Sequence, residues 1–321
     1  MVSWYLSFIA ILLNIARITL AYFSSSIIIT WFIMELNLIS FIGIIIFFSR
    51  SLVKSIAIKY FSFQVNVSVI LFFLILIKRL STIRTLMLIV AILIAKVGIA
   101  PFHLWFVSII SKVDWSVFLW MAIPQKLIPL LIMSVSILNT VPVLFLLISV
   151  AVSLAHRVIQ LKIKKVVAIS SVFSLNWIAL SIITSYKEWT IFFTIYRILS
   201  LSFIVGFVKR VKSRSARQQL SKSTTWILVA GSLFLAGVPP SPLFFIKIRI
   251  LADLIKEGLT YLSLTIIVSS LIILYIYVNL ALNILVFSAR SMRANFQPST
   301  TNISTMVWLT LPATLYSILN L

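Results

Sequence analysis

Four ionisable side chains sit inside apolar stretches: Glu35 in TWFIMELNLISF, Lys96 in ILIAKVGIAPFH, Lys126 in WMAIPQKLIPLL and Lys247 in GVPPSPLFFIKI. A charged group at the centre of a lipid-buried helix costs about 2.5–3.5 kcal/mol, so such residues mark ion or proton pathways by default. One carboxylate and three amines suit proton transfer. The chain has no cysteine and two histidines, His103 and His156. That set offers no ligand cluster for zinc, haem or an iron–sulfur centre, so no metal or cofactor is expected in this chain and any redox chemistry belongs to a partner.

Lys96 lies more than a turn from either flank of its apolar run, out of easy snorkelling range. Glu35 is the one acid well inside an expected span, so electroneutrality in a low dielectric nominates the pair Glu35–Lys96; a purely structural ion pair is the plain alternative. Lys126 stands between Pro124 and Pro129 with no acid in its own helix. Its charge then depends on what its neighbours carry, as a relay requires, unless it simply reaches a lipid or a backbone carbonyl. Lys247 follows a proline cluster and can stand near the N-terminus of a second half-helix, where the dipole disfavours a cation. Arg249, two residues on, leaves open which of the two is the functional cation. His103 either passes protons or caps freed backbone, and His156 beside Arg157 reads as interfacial. Arg17 and Arg197 read as interhelical or end-snorkelling groups, and Gln64, Asn66 and Asn176 as interhelical hydrogen bonders.

The elements that must position these groups are membrane helices. With 62% apolar residues and a mean hydropathy of +1.20, 321 residues carry too little polar surface to solvate a compact globule. A span needs about 20 mostly apolar residues. The pattern predicts an all-α polytopic protein with about 11 of them, roughly 3–23, 26–48, 56–77, 84–110, 116–138, 141–156, 165–184, 189–208, 224–252, 260–287 and 304–320. Two spans are interrupted, the fourth at Gly98 and Pro101, the ninth at Gly237, Pro239, Pro240 and Pro242. Pro101 lacks an N–H and is expected to free the Val97 carbonyl a turn below, beside Lys96. Non-helical backbone at membrane depth survives only where protein or water satisfies it, and broken helices flanking ion sites recur in transporters. The breaks lie about 140 residues apart, which suggests an internal duplication with one broken helix per repeat. Residues 139–142 read as a tight turn and Lys209 to Ser223 as a basic, solvated loop. No linker divides the chain, so one transmembrane domain is expected over 1–321.

A net charge of +22 points towards nucleic acid only when the cations share one soluble face. Here they fall into short loops, 16 of the 27 Lys and Arg on the side of the N-terminus and five on the other. Positive-inside then places the N-terminus on the cytoplasmic or matrix side and the C-terminus opposite. The first apolar segment lacks a basic flank and a small-residue cleavage site, so no cleaved leader is expected.

WFIMELNLISF around Glu35, KYFSFQ (59–64), KVGIAPFHLW (96–105), QKLIP (125–129) and QLKIKKVVAISS (160–171) occur in an order that resembles the chain 2 family of mitochondrial NADH-ubiquinone oxidoreductase. These are antiporter-like membrane subunits of respiratory complex I. The resemblance spans nearly the whole chain, and its K-x-G-x-A-P-F-H-x-W string is specific to the antiporter-like subunits. It implies an antiporter-like fold of two inverted five-helix repeats, here roughly 26–160 and 165–287, with flanking helices at 3–23 and 304–320. By motif match Glu35 and Lys96 resemble the family's buried acid–lysine pair, Lys126 its central relay and Lys247 the terminal lysine of the second broken helix. His103 and Lys165 are candidate secondary relays. In two places the chain departs from the family pattern. Pro242-Leu243 stands where the family carries a glycine before Phe244, and VFSLNW lacks the usual His-x-Gly before Trp177, with Ile169 replacing a tyrosine.

What the resemblance implies is a multi-pass, proton-translocating subunit in the mitochondrial inner membrane, its N-terminus in the matrix and its C-terminus in the intermembrane space. Its partners would be the lipid bilayer and the other membrane and peripheral subunits of complex I, which hold NADH, FMN, iron–sulfur clusters and ubiquinone; no nucleic acid is implied. Events elsewhere would alter the electrostatics beside Glu35, shift the charge on Lys96, and drive a proton between Lys126 and Lys247 through transient water. A cation/proton antiporter subunit is the alternative, and an inert scaffold a third reading.

Overall fold

Long apolar runs in lipid leave the backbone few choices, because every N–H and C=O must be paired within the segment. The computed structural model is accordingly a succession of helices, and it describes residues 2–24, 26–48, 54–77, 83–136, 148–152, 163–215 and 222–293. In chain order they are α1 (Val2–Phe23), α2 (Ile27–Phe48), α3 (Lys54–Ile77), α4 (Ile83–Val97), α5 (Leu104–Ile110), α6 (Trp115–Ala122) and α7 (Pro124–Ser136). After a short helical stretch at 148–152 come α8 (Ile163–Thr184), α9 (Tyr186–Ser215), α10 (Lys222–Ala236), α11 (Pro242–Lys256) and α12 (Thr260–Arg293). The expected span at 304–320, most of that at 141–156, the turn at 139–142 and His156 lie outside the described residues.

Among the described residues six apolar stretches of 20 to 27 residues are long enough to cross a membrane, and Ile11–Phe23, Thr85–Val97 and Thr224–Ala236 are shorter ones. At 22 residues α2 is about 33 Å long, matching a hydrocarbon core of about 30 Å. Both expected interruptions are present: the fourth span divides into α4 and α5, and the ninth into α10 and α11. A third was not expected. The fifth span is divided at Ile123 into α6 and α7, because Pro124 has no N–H to continue the ladder and instead opens the new helix.

The chain forms two compact units, Met1–Tyr186 and Lys187–Leu321. In the first, α2 packs against α1 and α3, α3 against α4, and α7 against α1, α2 and α4; α8 lies against α5 and α7. In the second, α12 packs on α10 and α11. Phe23, Ile58 and Phe73 of the first unit and Leu264 and Tyr275 of the second point outwards, while Asn14, Asn37, Gln64, Lys96 and Lys126 are buried. Polar groups inside and apolar groups outside is the arrangement a bilayer favours, since ionisable residues in spanning segments face the bundle interior.

Candidate functional site

The first break is built by glycine before proline acts. At φ 80° Gly98 closes α4: its N–H is shared between the Ile94 (3.0 Å) and Ala95 (3.2 Å) carbonyls, and the Ile99 N–H donates to the Ile94 carbonyl (3.0 Å). This is a Schellman end, which turns the chain out of the helix before Pro101 is reached. The expected freeing of the Val97 carbonyl by Pro101 inside a continuing helix is therefore corrected: the helix has already ended at Val97. Side chains satisfy the last carbonyls. Trp105 Nε1 donates to Ala95 O at 3.1 Å and Gln64 Nε2 to Lys96 O at 3.3 Å. His103 is fully buried at the N-cap of α5, where its side chain makes no capping bond to the first turn of that helix.

Lys96, one residue from the end of α4, reaches across to α2. Its Nζ lies 3.0 Å from Glu35 Oε1, with side-chain exposures of 3% and 20%, so the ion pair expected from charge balance is formed and nearly dry. Lys126, in the first turn of α7, is buried as well. Its Nζ sits 3.8 Å from the centre of the Phe106 ring and has no hydrogen-bond partner among the described residues. A cation–π contact of this kind partly replaces lost hydration. Lys96 and Lys126 line one cavity, together with Asn37, Tyr60, Gln64 and Gln125.

The second break repeats the first in its own unit. Gly237, at φ 84°, donates to Phe234 O at 3.1 Å, and Val238 N–H to Leu233 O at 3.2 Å. A cis X-Pro bond follows at the same spacing in both: Ala100–Pro101 and Pro239–Pro240. Ser241 then caps α11 by accepting from Phe244 N–H at 3.3 Å, with Pro242 in the first turn. Lys247 does not stand against the N-terminus of α11 as expected. Its flexible stem folds back, and Nζ donates to Ala236 O at 3.2 Å, so the amine meets the carbonyl end of α10, where the dipole is negative. Gly237 is what makes room: a Cβ there would lie 2.8 Å from Lys247 Nζ. Gly237→Ala is therefore expected to displace the amine and to add about 1–2 kcal/mol of left-handed backbone strain. Less of the variant than of the wild type should accumulate in the membrane, measured by quantitative immunoblot.

Arg249, two residues on from Lys247, has a partner of its own. Its Nε lies 2.6 Å from Glu188 Oε1, the carboxylate being buried and the guanidinium half exposed. Glu188 was missed because it stands at the edge of its apolar run, in the first turn of α9, although it is one of only five acids in the chain. Arg17 is interhelical: its Nη1 donates to Leu36 O, next to Glu35 in α2. Arg197 is exposed and Lys165 half buried. Beside Lys165, Lys164 Nζ donates to Val113 O at 2.9 Å and lies 5.4 Å from the Trp115 ring centre. The structure thus brings Glu35, Lys96 and Lys126 together in the first unit, and gives Lys247 a separate break in the second.

Residues 75–273 match the family model described as NADH:quinone oxidoreductase/Mrp antiporter, transmembrane. The chain is 31% identical over 261 residues to NADH-ubiquinone oxidoreductase chain 2 of Artemia franciscana, covering 80% of this chain and 83% of that one. Its fold is similar to a chain in the structure of respiratory complex I from Thermus thermophilus with bound aureothin, at a TM-score of 0.76 and 17% identity, over 87% of this chain and 70% of that one. It is also similar to a chain of the Mrp complex from Dietzia sp. DQ12-45-1b, at 0.73 and 16%, over 84% and 58%.

Proposed function

Because this chain belongs to the NADH:quinone oxidoreductase/Mrp antiporter family of transmembrane proteins, and to its NADH-ubiquinone oxidoreductase chain 2 branch, we propose that its buried amines carry protons for a respiratory complex. It is a multi-pass membrane subunit of an NADH:ubiquinone oxidoreductase assembly in the mitochondrial inner membrane. The observation that carries the proton reading is the Glu35–Lys96 pair, 3.0 Å apart at a helix break, whose lysine lines a cavity with a second buried amine, Lys126.

Moving one charge against roughly 150–200 mV takes about 3.5–4.6 kcal/mol, and depriving a buried ion pair of one partner costs about 3–5 kcal/mol. The two quantities match. A change of charge near Glu35 that weakens its hold on Lys96 is thus large enough to drive one proton, with Lys126 as the next group to respond. Lys247, His103 and Lys165 serve as further stations. The broken backbone at Gly98, Pro101, Gly237, Pro239, Pro240 and Pro242 keeps carbonyls and space beside the lysines. The electron carriers, NADH, FMN, iron–sulfur clusters and ubiquinone, belong to other subunits.

Purifying the protein from its native membrane tests this reading. Co-elution with flavin- and iron–sulfur-containing subunits and with NADH:quinone activity supports it. Elution with hydrophobic subunits alone, together with sodium- or potassium-dependent proton exchange, would instead favour a cation/proton antiporter, the reading to which the Mrp likeness lends weight. The excess of cations on one side also supports an N-terminus in the matrix and a C-terminus in the intermembrane space. The stretch Lys209 to Lys222 is then expected to react with amine reagents only from the matrix side; labelling from the other face would reverse the orientation.

A further inference from the structure

Near the Glu35–Lys96 pair four side chains from three helices close a ring that the lysine path does not yet use. Asn37 Nδ2 in α2 donates to Gln125 Oε1 in α7 (3.1 Å), and Gln125 Nε2 donates to Asn14 Oδ1 in α1 (3.0 Å). Asn14 Nδ2 donates to Ser40 Oγ (2.9 Å), whose hydroxyl returns a hydrogen to the Asn37 backbone carbonyl (2.8 Å). With the Ser40 hydroxyl turned to the Asn37 backbone carbonyl, the ring runs in one direction, and Asn37 offers its NH2 to Gln125. Its carbonyl oxygen, Oδ1, is left over. That atom is buried and has no hydrogen-bond partner among the described residues, and Asn37 as a whole is 2% exposed.

A buried carbonyl without a partner costs about 1–3 kcal/mol, which a protein rarely tolerates without use. Lys126 Nζ is a buried donor in the same position. Both residues line the cavity that Lys96 also lines, about 20 Å³ in volume. One water needs about 10–15 Å³ and two to four polar partners. An acceptor on Asn37, an amine on Lys126 and the Lys96 side of the cavity meet both requirements.

Resting on the proton-translocating reading above, we propose that Asn37 is a positioning residue whose side-chain carbonyl holds the water linking Lys96 to Lys126. A proton crosses when an N–H bond breaks on one lysine and another forms on its counterpart, the water taking up one hydrogen as it releases another. The ring of Gln125, Asn14 and Ser40 keeps the Asn37 amide from flipping, so the water always meets an acceptor.

The test is NADH:quinone turnover of assembled complex in H2O and D2O. For Asn37→Leu we expect about tenfold lower turnover per assembled complex, the scale of loss for a misplaced reacting group, and an enlarged solvent isotope effect as proton transfer becomes limiting. A merely structural asparagine would lower the amount assembled and leave the isotope effect alone. If the leucine variant does not assemble, Asn37→Ala, which removes the same acceptor without added bulk, must show the enlarged isotope effect. Unchanged turnover per complex with an unchanged isotope effect, in whichever variant assembles, overturns the assignment. Lys126→Met at normal turnover and with a normal ratio of protons to NADH would overturn the proton-translocating reading itself, whereas an inactive Lys126→Met beside a normal Asn37 variant removes Asn37 alone.

Discussion

Complex carrying Lys126→Met is expected to assemble and to lose most of its NADH:ubiquinone turnover. Methionine keeps the length and flexibility of the lysine stem and fills its place against Phe106, where a sulfur–aromatic contact replaces the cation–π contact at 3.8 Å. Nothing in the packing of α7 against α1, α2 and α4 need change. What disappears is the titrating group on the far side of the cavity from Lys96. A positioned acid or base commonly contributes about 10²–10⁴-fold, so a fall of at least about tenfold in turnover per assembled complex is expected. Normal turnover and a normal ratio of protons to NADH at normal assembly would make Lys126 a packing residue and favour the scaffold reading.

Glu35→Gln has the second large effect, by a different route. The amide is the same size and still offers Lys96 Nζ an oxygen at hydrogen-bond distance, so the helices α2 and α4 keep their contact. The charge is gone, and a buried ammonium left without its counter-ion costs about 3–5 kcal/mol, somewhat less here because Glu35 is partly exposed. Lys96 then settles as the neutral amine and cannot cycle. Turnover should fall about as far as in Lys96→Met, and the double variant Glu35→Gln/Lys96→Met should assemble better than the two single losses sum to, because their effects are not independent. Additive losses in the double variant would mean that the two side chains, though 3.0 Å apart, are not energetically coupled.

Much of this site was legible in the residues themselves. A lysine in ILIAKVGIAPFH has few places to go in a bilayer, and the only acid deep in an apolar run is its natural partner; the pair at 3.0 Å follows from charge balance alone. Gly-x-Pro-Pro and Gly-x-Ala-Pro mark breaks for the same steric reason wherever they occur. Other features depend on tertiary placement. The break at Ile123 escaped because a proline inside a long apolar run can also be carried within a helix, as Pro129 is in α7, so Pro124 by itself does not fix a new start. The fold-back of Lys247 to Ala236 depends on the angle between two half-helices, which no local pattern encodes. The Asn37 ring escaped for a third reason. Its bonds join residues up to 111 positions apart, and each of the four side chains, taken singly, is an ordinary polar residue in a membrane helix. Glu188 shows the limit of reading depth from position in a run: it lies at the edge of its apolar stretch and is nonetheless buried.

Protons moved per NADH oxidised, measured on the assembled complex in sealed vesicles with and without Lys126→Met, address the central claim most directly. If buried amines of this chain carry protons, the variant pumps more slowly in step with its lowered NADH oxidation, or oxidises NADH while moving fewer protons for each one consumed. Wild-type oxidation together with a wild-type ratio of protons to NADH would contradict the claim.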